Sequence, residues 1–250
     1  MAGIPIGLQM YTLREQCAED FPGTLKKVAE IGYNGVELAG SYGISASDLK
    51  SLLGDLGLEA VGTHTGIEAL SEDMESVLEF WGTVGSKYLT FSSIAESYRE
   101  DGDGWKNTGK ILTECGNELL KHGFQLSYHN HSFEFEMFDG IAGFDLLYQN
   151  SDPKALHAQV DTYWVQHGNR DPVQVLKDLS GRISLVHIKD MLDDEAQSFA
   201  EIGEGILDWD GIFAACEAGG TKWYIVEQDS CKGDPIDSVA LSHDNFRKMT

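Results

Sequence analysis

The stretch Ile183-Ser184-Leu185-Val186-His187-Ile188-Lys189-Asp190 is an apolar, β-branched run that closes on a histidine, a lysine and an aspartate. Its apolar body reads as a strand buried on both faces, the kind that parallel sheets use. A helix-like pattern follows at Trp209–Glu217, and then a second short apolar run at Trp223–Val226. Outward from this unit the same alternation recurs. Strand-like runs fall at Ile4–Met10, Gly35–Leu38, Leu58–Gly62, Tyr88–Phe91, Phe124–Tyr128 and Leu156–Val160. Helix-like segments separate them at Phe21–Ile31, Ala46–Leu56, Glu72–Val84, Asn107–His122, Phe144–Tyr148 and Pro172–Leu179, and Pro235–Met249 closes the chain. Gly32, Gly57 and Gly123 stand just past periodic segments, where a left-handed residue ends a helix at little cost. Pro172 behind Asp171 is a first-turn proline with an acidic cap. Eight strand–helix repeats in 250 residues predict an α/β fold, a (β/α)8 TIM barrel in a single domain spanning 1–250. An open doubly wound sheet ranks second, because no Gly-rich phosphate fingerprint follows the first strand.

Composition narrows the partners. Eighteen Lys+Arg against 41 Asp+Glu give a formal charge of −23. Such a surface repels nucleic acid and anionic membranes, and the cations form no basic stripe. Cys17, Cys115, Cys216 and Cys231 show no paired spacing, and no leader or spanning segment is visible, so a cytoplasmic protein with reduced thiols is expected. Trp81 and Trp105 are candidates for exposed contacts in a homo-oligomer.

In a barrel the chemistry lies where the strands end. Tyr11 follows the first strand, Glu37 lies in the second and His64 ends the third; Ser92 and Ser93 end the fourth. His129, His131 and Glu134 follow the fifth, Asp161 ends the sixth, His187, Lys189 and Asp190 end the seventh, and Glu227 with Asp229 ends the eighth. A carboxylate closing an apolar strand is costly to bury unless it is paired or bound to a cation. Glu227, Asp161 and His187 at equivalent depths therefore favour a shared divalent metal over separate salt bridges.

Tyr128-His129-Asn130-His131-Ser132-Phe133-Glu134-Phe135 resembles the YHNHxFEF motif of the xylose-isomerase-like TIM-barrel family of sugar (phosphate) isomerases and epimerases. Asp161-Thr162-Tyr163-Trp164-Val165, His187-Ile188-Lys189-Asp190, Gly203-Glu204-Gly205 with Asp208-Trp209, and Val226-Glu227-Gln228-Asp229 resemble its further motifs in order. Gly7-Leu8-Gln9-Met10-Tyr11-Thr12-Leu13-Arg14 and Gly35-Val36-Glu37-Leu38 fit as well.

The resemblance implies a metal held by Glu134, Asp161, His187 and Glu227. Three carboxylates and an imidazole suit Mn²⁺ first, with Mg²⁺, Co²⁺ or Zn²⁺ as alternatives. By the same resemblance Glu134 and Glu227 form an acid/base pair, and His129, His131 and Lys189 bind hydroxyls or an enediolate oxygen, with His129 and Lys189 counted among the catalytic groups. Glu37 and His64 are expected on the substrate side, and Tyr11 and Trp164 as faces for a sugar ring. Asp193, Asp194, Glu195, Glu201 and Glu204 crowd the region where a barrel would bind phosphate, so an unphosphorylated carbohydrate is expected. The first expectation is a metal-dependent isomerase or epimerase of a ketosugar or polyol. A lyase acting on a keto-sugar, keto-glycoside or inosose is the alternative. A deoxyribonuclease is disfavoured by charge, and a sugar-binding protein without turnover is the remaining class.

Overall fold

The computed structural model describes residues 3–250. Its eight barrel strands are β1 (Ile6–Gln9), β2 (Gly35–Leu38), β3 (Glu59–Thr65), β4 (Tyr88–Phe91), β5 (Gln125–His129), β6 (Leu156–Asp161), β7 (Ile183–Ile188) and β8 (Trp223–Val226). All pair in parallel with their sequence neighbours, and β8 pairs with β1 to close the barrel. The helices are α1 (Arg14–Ile31), α2 (Ala46–Leu56), α3 (Ile67–Val84), α4 (Gly102–Lys121), α5 (Gly143–Gln149), α6 (Thr162–His167), α7 (Pro172–Asp178), α8 (Trp209–Gly219) and α9 (Pro235–Met249). None of the described helices is long and apolar enough to cross a membrane.

The local signals act as the sequence suggests. Gly32 and Gly57 take left-handed conformations as helix C-caps, and Asp171 accepts a hydrogen bond from Val173 N ahead of Pro172. α4 begins at Gly102, five residues before its periodicity suggests, and α1 and α3 also begin early. α1 is kinked at Asp20 and α3 at Asp73, and each aspartate accepts a backbone N–H three residues on, from Gly23 and Ser76. The apolar stripe is regular only past the kink, which is why the pattern shows only the later part of each helix. α6 has no counterpart in the sequence reading. Its β-branched and aromatic residues carry no helical stripe, and the helix starts because Asp161 caps Trp164 N at 3.0 Å.

Most apolar burial lies between the strands and the helical shell. Trp105 belongs to this layer at 1% exposure, and Trp81 packs partly buried against it. The expectation that these tryptophans stand exposed for a subunit contact is therefore corrected: each buries its ring against its own chain. Inside the barrel, Val61, Leu185, Trp223 and Ile225 form a separate apolar plug with Tyr88 against it. Strand residues alternate in orientation, so Leu185 and His187 share the inward face of β7, as do Gln159 and Asp161 on β6. The plug thus forms the floor under a polar layer.

Candidate metal centre and active site

Strand register assembles the polar layer. Gln9 lies beside Glu37, His129 beside Gln159, and Asp161 beside His187. Gln9, Glu37, Gln159, Asp161 and His187 are fully buried, and His129, Lys189 and Glu227 nearly so.

Glu37 sits at the centre of the lower part. Its Oε2 accepts from Gln9 Nε2 at 2.7 Å and lies 2.6 Å from His187 Nε2, while Oε1 accepts from Gln159 Nε2 at 2.6 Å. The other end of the Gln159 amide lies 3.0 Å from both His64 Nε2 and His129 Nδ1. Burial opposes ionisation of Glu37, but the facing His64 and His187 prevail and hold it well below the usual carboxylate range.

Above this layer, ligand-type atoms of His129, Asp161, His187 and Glu227 all lie within 4.8 Å of one another. His187 Nδ1 is 2.9 Å from Glu227 Oε2 and 4.0 Å from Asp161 Oδ2, and His129 Nε2 is 3.8 Å from the same Asp161 oxygen. Lys189 Nζ reaches Glu227 at 2.7 Å, Asp161 at 3.0 Å and Asp229 at 3.0 Å. Burial raises Asp161 to about 6, only partly countered by Lys189 and His187. For Glu227 the same cations win over burial and keep it ionised far down the pH scale. His187 is raised to about 10, because Glu37 and Glu227 outweigh the burial that disfavours its charge. Burial, reinforced by neighbouring His187 and His131, keeps His129 neutral.

Asp161 Oδ2 accepts no well-directed hydrogen bond and has only the charge contact with Lys189 Nζ at 3.0 Å, which leaves lone pairs open to a cation. With two imidazoles and two carboxylates around it, the donor set fits a divalent ion such as Zn²⁺, Mn²⁺ or Co²⁺.

Glu134, expected from the resemblance to join Asp161, His187 and Glu227, lies outside this group. A short 3₁₀ turn at Phe133–Phe135 folds its carboxylate back, where it accepts from Tyr128 Oη at 2.8 Å and from His131 N at 2.8 Å. Burial raises it to about 7 despite those bonds. Glu37, expected on the substrate side, is instead wholly enclosed by protein donors. His64 is half-buried, its ring stacked 5.5 Å from that of His187. His131 lies 5.5 Å from Trp164, ring to ring, and Lys189 Nζ is 5.9 Å from the Trp164 ring, so these groups form one wall beside the cluster. Tyr11 is 44% exposed on the turn after β1, with Arg14 over its ring at 4.5 Å.

Gln9 and Gln159 escaped the sequence reading. The period-2 spacing of Gln159 to Asp161 on a buried strand was the available signal. The four cysteines are free, and burial pushes Cys17 and Cys216 up to about 12, away from nucleophilic use.

The profile of the xylose isomerase-like TIM barrel family matches residues 25–249. An inosose dehydratase of Geobacillus kaustophilus is 24% identical over 92% of this chain and 91% of its own length. A crystal structure of a sugar phosphate isomerase/epimerase from Parabacteroides distasonis superposes with a TM-score of 0.83 at 26% identity, covering 99% of this chain and 94% of that one. The zinc-bound IOLI protein shares the fold, with a TM-score of 0.75 at 14% identity over 98% of this chain and 97% of its own. The match runs through nearly all the described barrel, and the chain belongs to the xylose isomerase-like TIM barrel family.

Proposed function

We propose that the protein is a metal-dependent lyase that removes a proton next to a carbonyl of a neutral keto-carbohydrate and expels water or an alcohol from the β-carbon. The observation that carries the choice is the sealed position of Glu134. Epimerisation by two carboxylates needs one on each face of the substrate, and Glu134 spends both oxygens on Tyr128 and His131. Elimination needs only one base and one acid close together. Glu227 and Lys189, 2.7 Å apart, are such a pair.

Asp161, His187 and Glu227 hold the cation, with His129 completing the set. When bound, a divalent ion polarises the carbonyl oxygen and acidifies the adjacent C–H. Glu227 takes the α-proton on a carboxylate oxygen. The β C–O bond breaks, and Lys189 Nζ gives its proton to the departing oxygen, leaving an unsaturated ketone and water or an alcohol. Proton passage from Glu227 to Lys189 restores both groups. His131 and Trp164 orient the ring, with His64 and Tyr11 at the approach. Acidic residues Asp193, Asp194 and Glu195 are exposed on the loop after β7, which favours an uncharged substrate.

The isomerase or epimerase reading is kept as the second, because the overall likeness to the Parabacteroides structure supports it. Proton NMR in D₂O decides, using metal-loaded protein with an inosose and a panel of ketosugars. Olefinic resonances support the lyase. A deuterated epimer or aldose–ketose isomer establishes the second reading instead, and no exchange of any C–H proton overturns both.

A further inference from the structure

The lower polar layer has a chemical consequence for the centre above it. We infer that Glu37 and Gln159 are positioning residues that select which ring nitrogen of His187 and of His129 faces the cation: Nδ1 of His187 and Nε2 of His129. This rests on the metal-centre reading given above.

An ionised carboxylate can only accept, so the 2.6 Å contact with Glu37 Oε2 requires a proton on His187 Nε2. Nδ1 is the nitrogen turned to Asp161 and Glu227, and the proton it shares with Glu227 Oε2 at 2.9 Å is the one a cation displaces, because the proton on Nε2 is held by the enclosed Glu37. The Gln159 amide must present its NH₂ to Glu37 Oε1, because the opposite orientation would set two acceptors 2.6 Å apart. Its Oε1 therefore faces His129 Nδ1 at 3.0 Å and takes a proton from it. The lone pair of His129 is then on Nε2, the atom 3.8 Å from Asp161 Oδ2. Gln9 completes the arrangement: its NH₂ holds Glu37 Oε2, and its own Oε1 accepts from Tyr11 N at 3.1 Å. One chain of hydrogen bonds across β1, β2 and β6 thus sets two tautomers. Partners of this kind typically tune metal affinity by about 10–100-fold.

The test uses the full chain with ¹⁵N-labelled histidine and Zn²⁺ as the probe. Long-range ¹H–¹⁵N correlation of the Zn²⁺-loaded wild type should show His187 protonated at Nε2 and His129 at Nδ1. The reverse tautomer at either ring overturns the inference, and this measurement needs no variant. Competition with a chromophoric chelator should show Glu37→Gln binding one Zn²⁺ per chain about 10–100-fold more weakly. Asp161→Asn and His187→Gln serve as controls for the centre itself. If they bind Zn²⁺ as the wild type does, the metal reading fails. If they lose it while Glu37→Gln keeps wild-type affinity, only the positioning role fails.

Discussion

Lys189 Nζ lies 2.7 Å from Glu227 Oε2 inside a barrel that leaves neither residue more than 4% exposed. A buried ammonium persists there because Asp161, Glu227 and Asp229 overcome the burial that disfavours its charge. In the proposed reaction this ammonium is the acid. Lys189→Met should lower kcat by about 10²–10⁴-fold, the usual worth of general acid–base catalysis, with one metal ion per chain retained. The metal-free variant should also lose about 3–5 kcal/mol of stability, because Asp161 and Glu227 lose their cation. Steady-state kinetics, elemental analysis and urea titration check this; wild-type kcat would remove Lys189 from the mechanism.

Glu134 makes stability depend on pH in a predictable direction. Its carboxyl rises from 4.5 to about 7 on folding, so between these values the folded chain binds more protons than the unfolded one. Stability from this group is therefore present at low pH and falls as pH rises, with the full penalty in place above about 7. Glu134→Gln carries no such penalty. Relative to wild type, the variant should gain about 3 kcal/mol between pH 4.5 and pH 7.5, on top of a constant cost for the altered hydrogen bonds. Urea unfolding at the two pH values measures the change, and a flat difference would show that Glu134 ionises normally.

Asp190 organises the loop between β7 and α8. Its carboxylate accepts from the backbone N–H groups of Met191, Gly203, Gly205 and Leu207 and from Trp209 Nε1. An asparagine would turn an NH₂ toward some of these donors. Asp190→Asn should cost about 3 kcal/mol, lowering Tm by roughly 6–12 °C in a chain of this size. Calorimetry checks it; a Tm within two degrees of wild type, on the order of 1 kcal/mol or less, contradicts the assignment.

Gly116 sets two effects against each other. It lies inside α4, where alanine should add about 1 kcal/mol of helix propensity. A Cβ there would run into the backbone carbonyl of Ala155, which cannot swing aside as a flexible side chain would. The clash should win, making Gly116→Ala destabilising by about 1–3 kcal/mol. Thermal unfolding gives the sign directly.

Barrel order and the convergence of Asp161, His187 and Glu227 were legible in the sequence because charge at the end of an apolar strand is conspicuous. Gln9 and Gln159 were not, since a neutral amide in a strand raises no alarm until its partners are known. The fate of Glu134 turned on three residues of 3₁₀ backbone, a local fold that its aromatic neighbours do not announce. Trp105 shows the same limit: a lone tryptophan in a polar stretch does not declare which face of α4 it occupies.

The plug of Val61, Leu185, Trp223 and Ile225 makes the barrel a cup rather than a tube. Anything arriving at Glu227 or Lys189, whether solvent, isotope or sugar, comes and goes through one rim. Deuterium washing into an abstracted position would then report how long that rim stays covered. The exchange rate of bound substrate becomes a clock for opening, separate from the chemistry beneath.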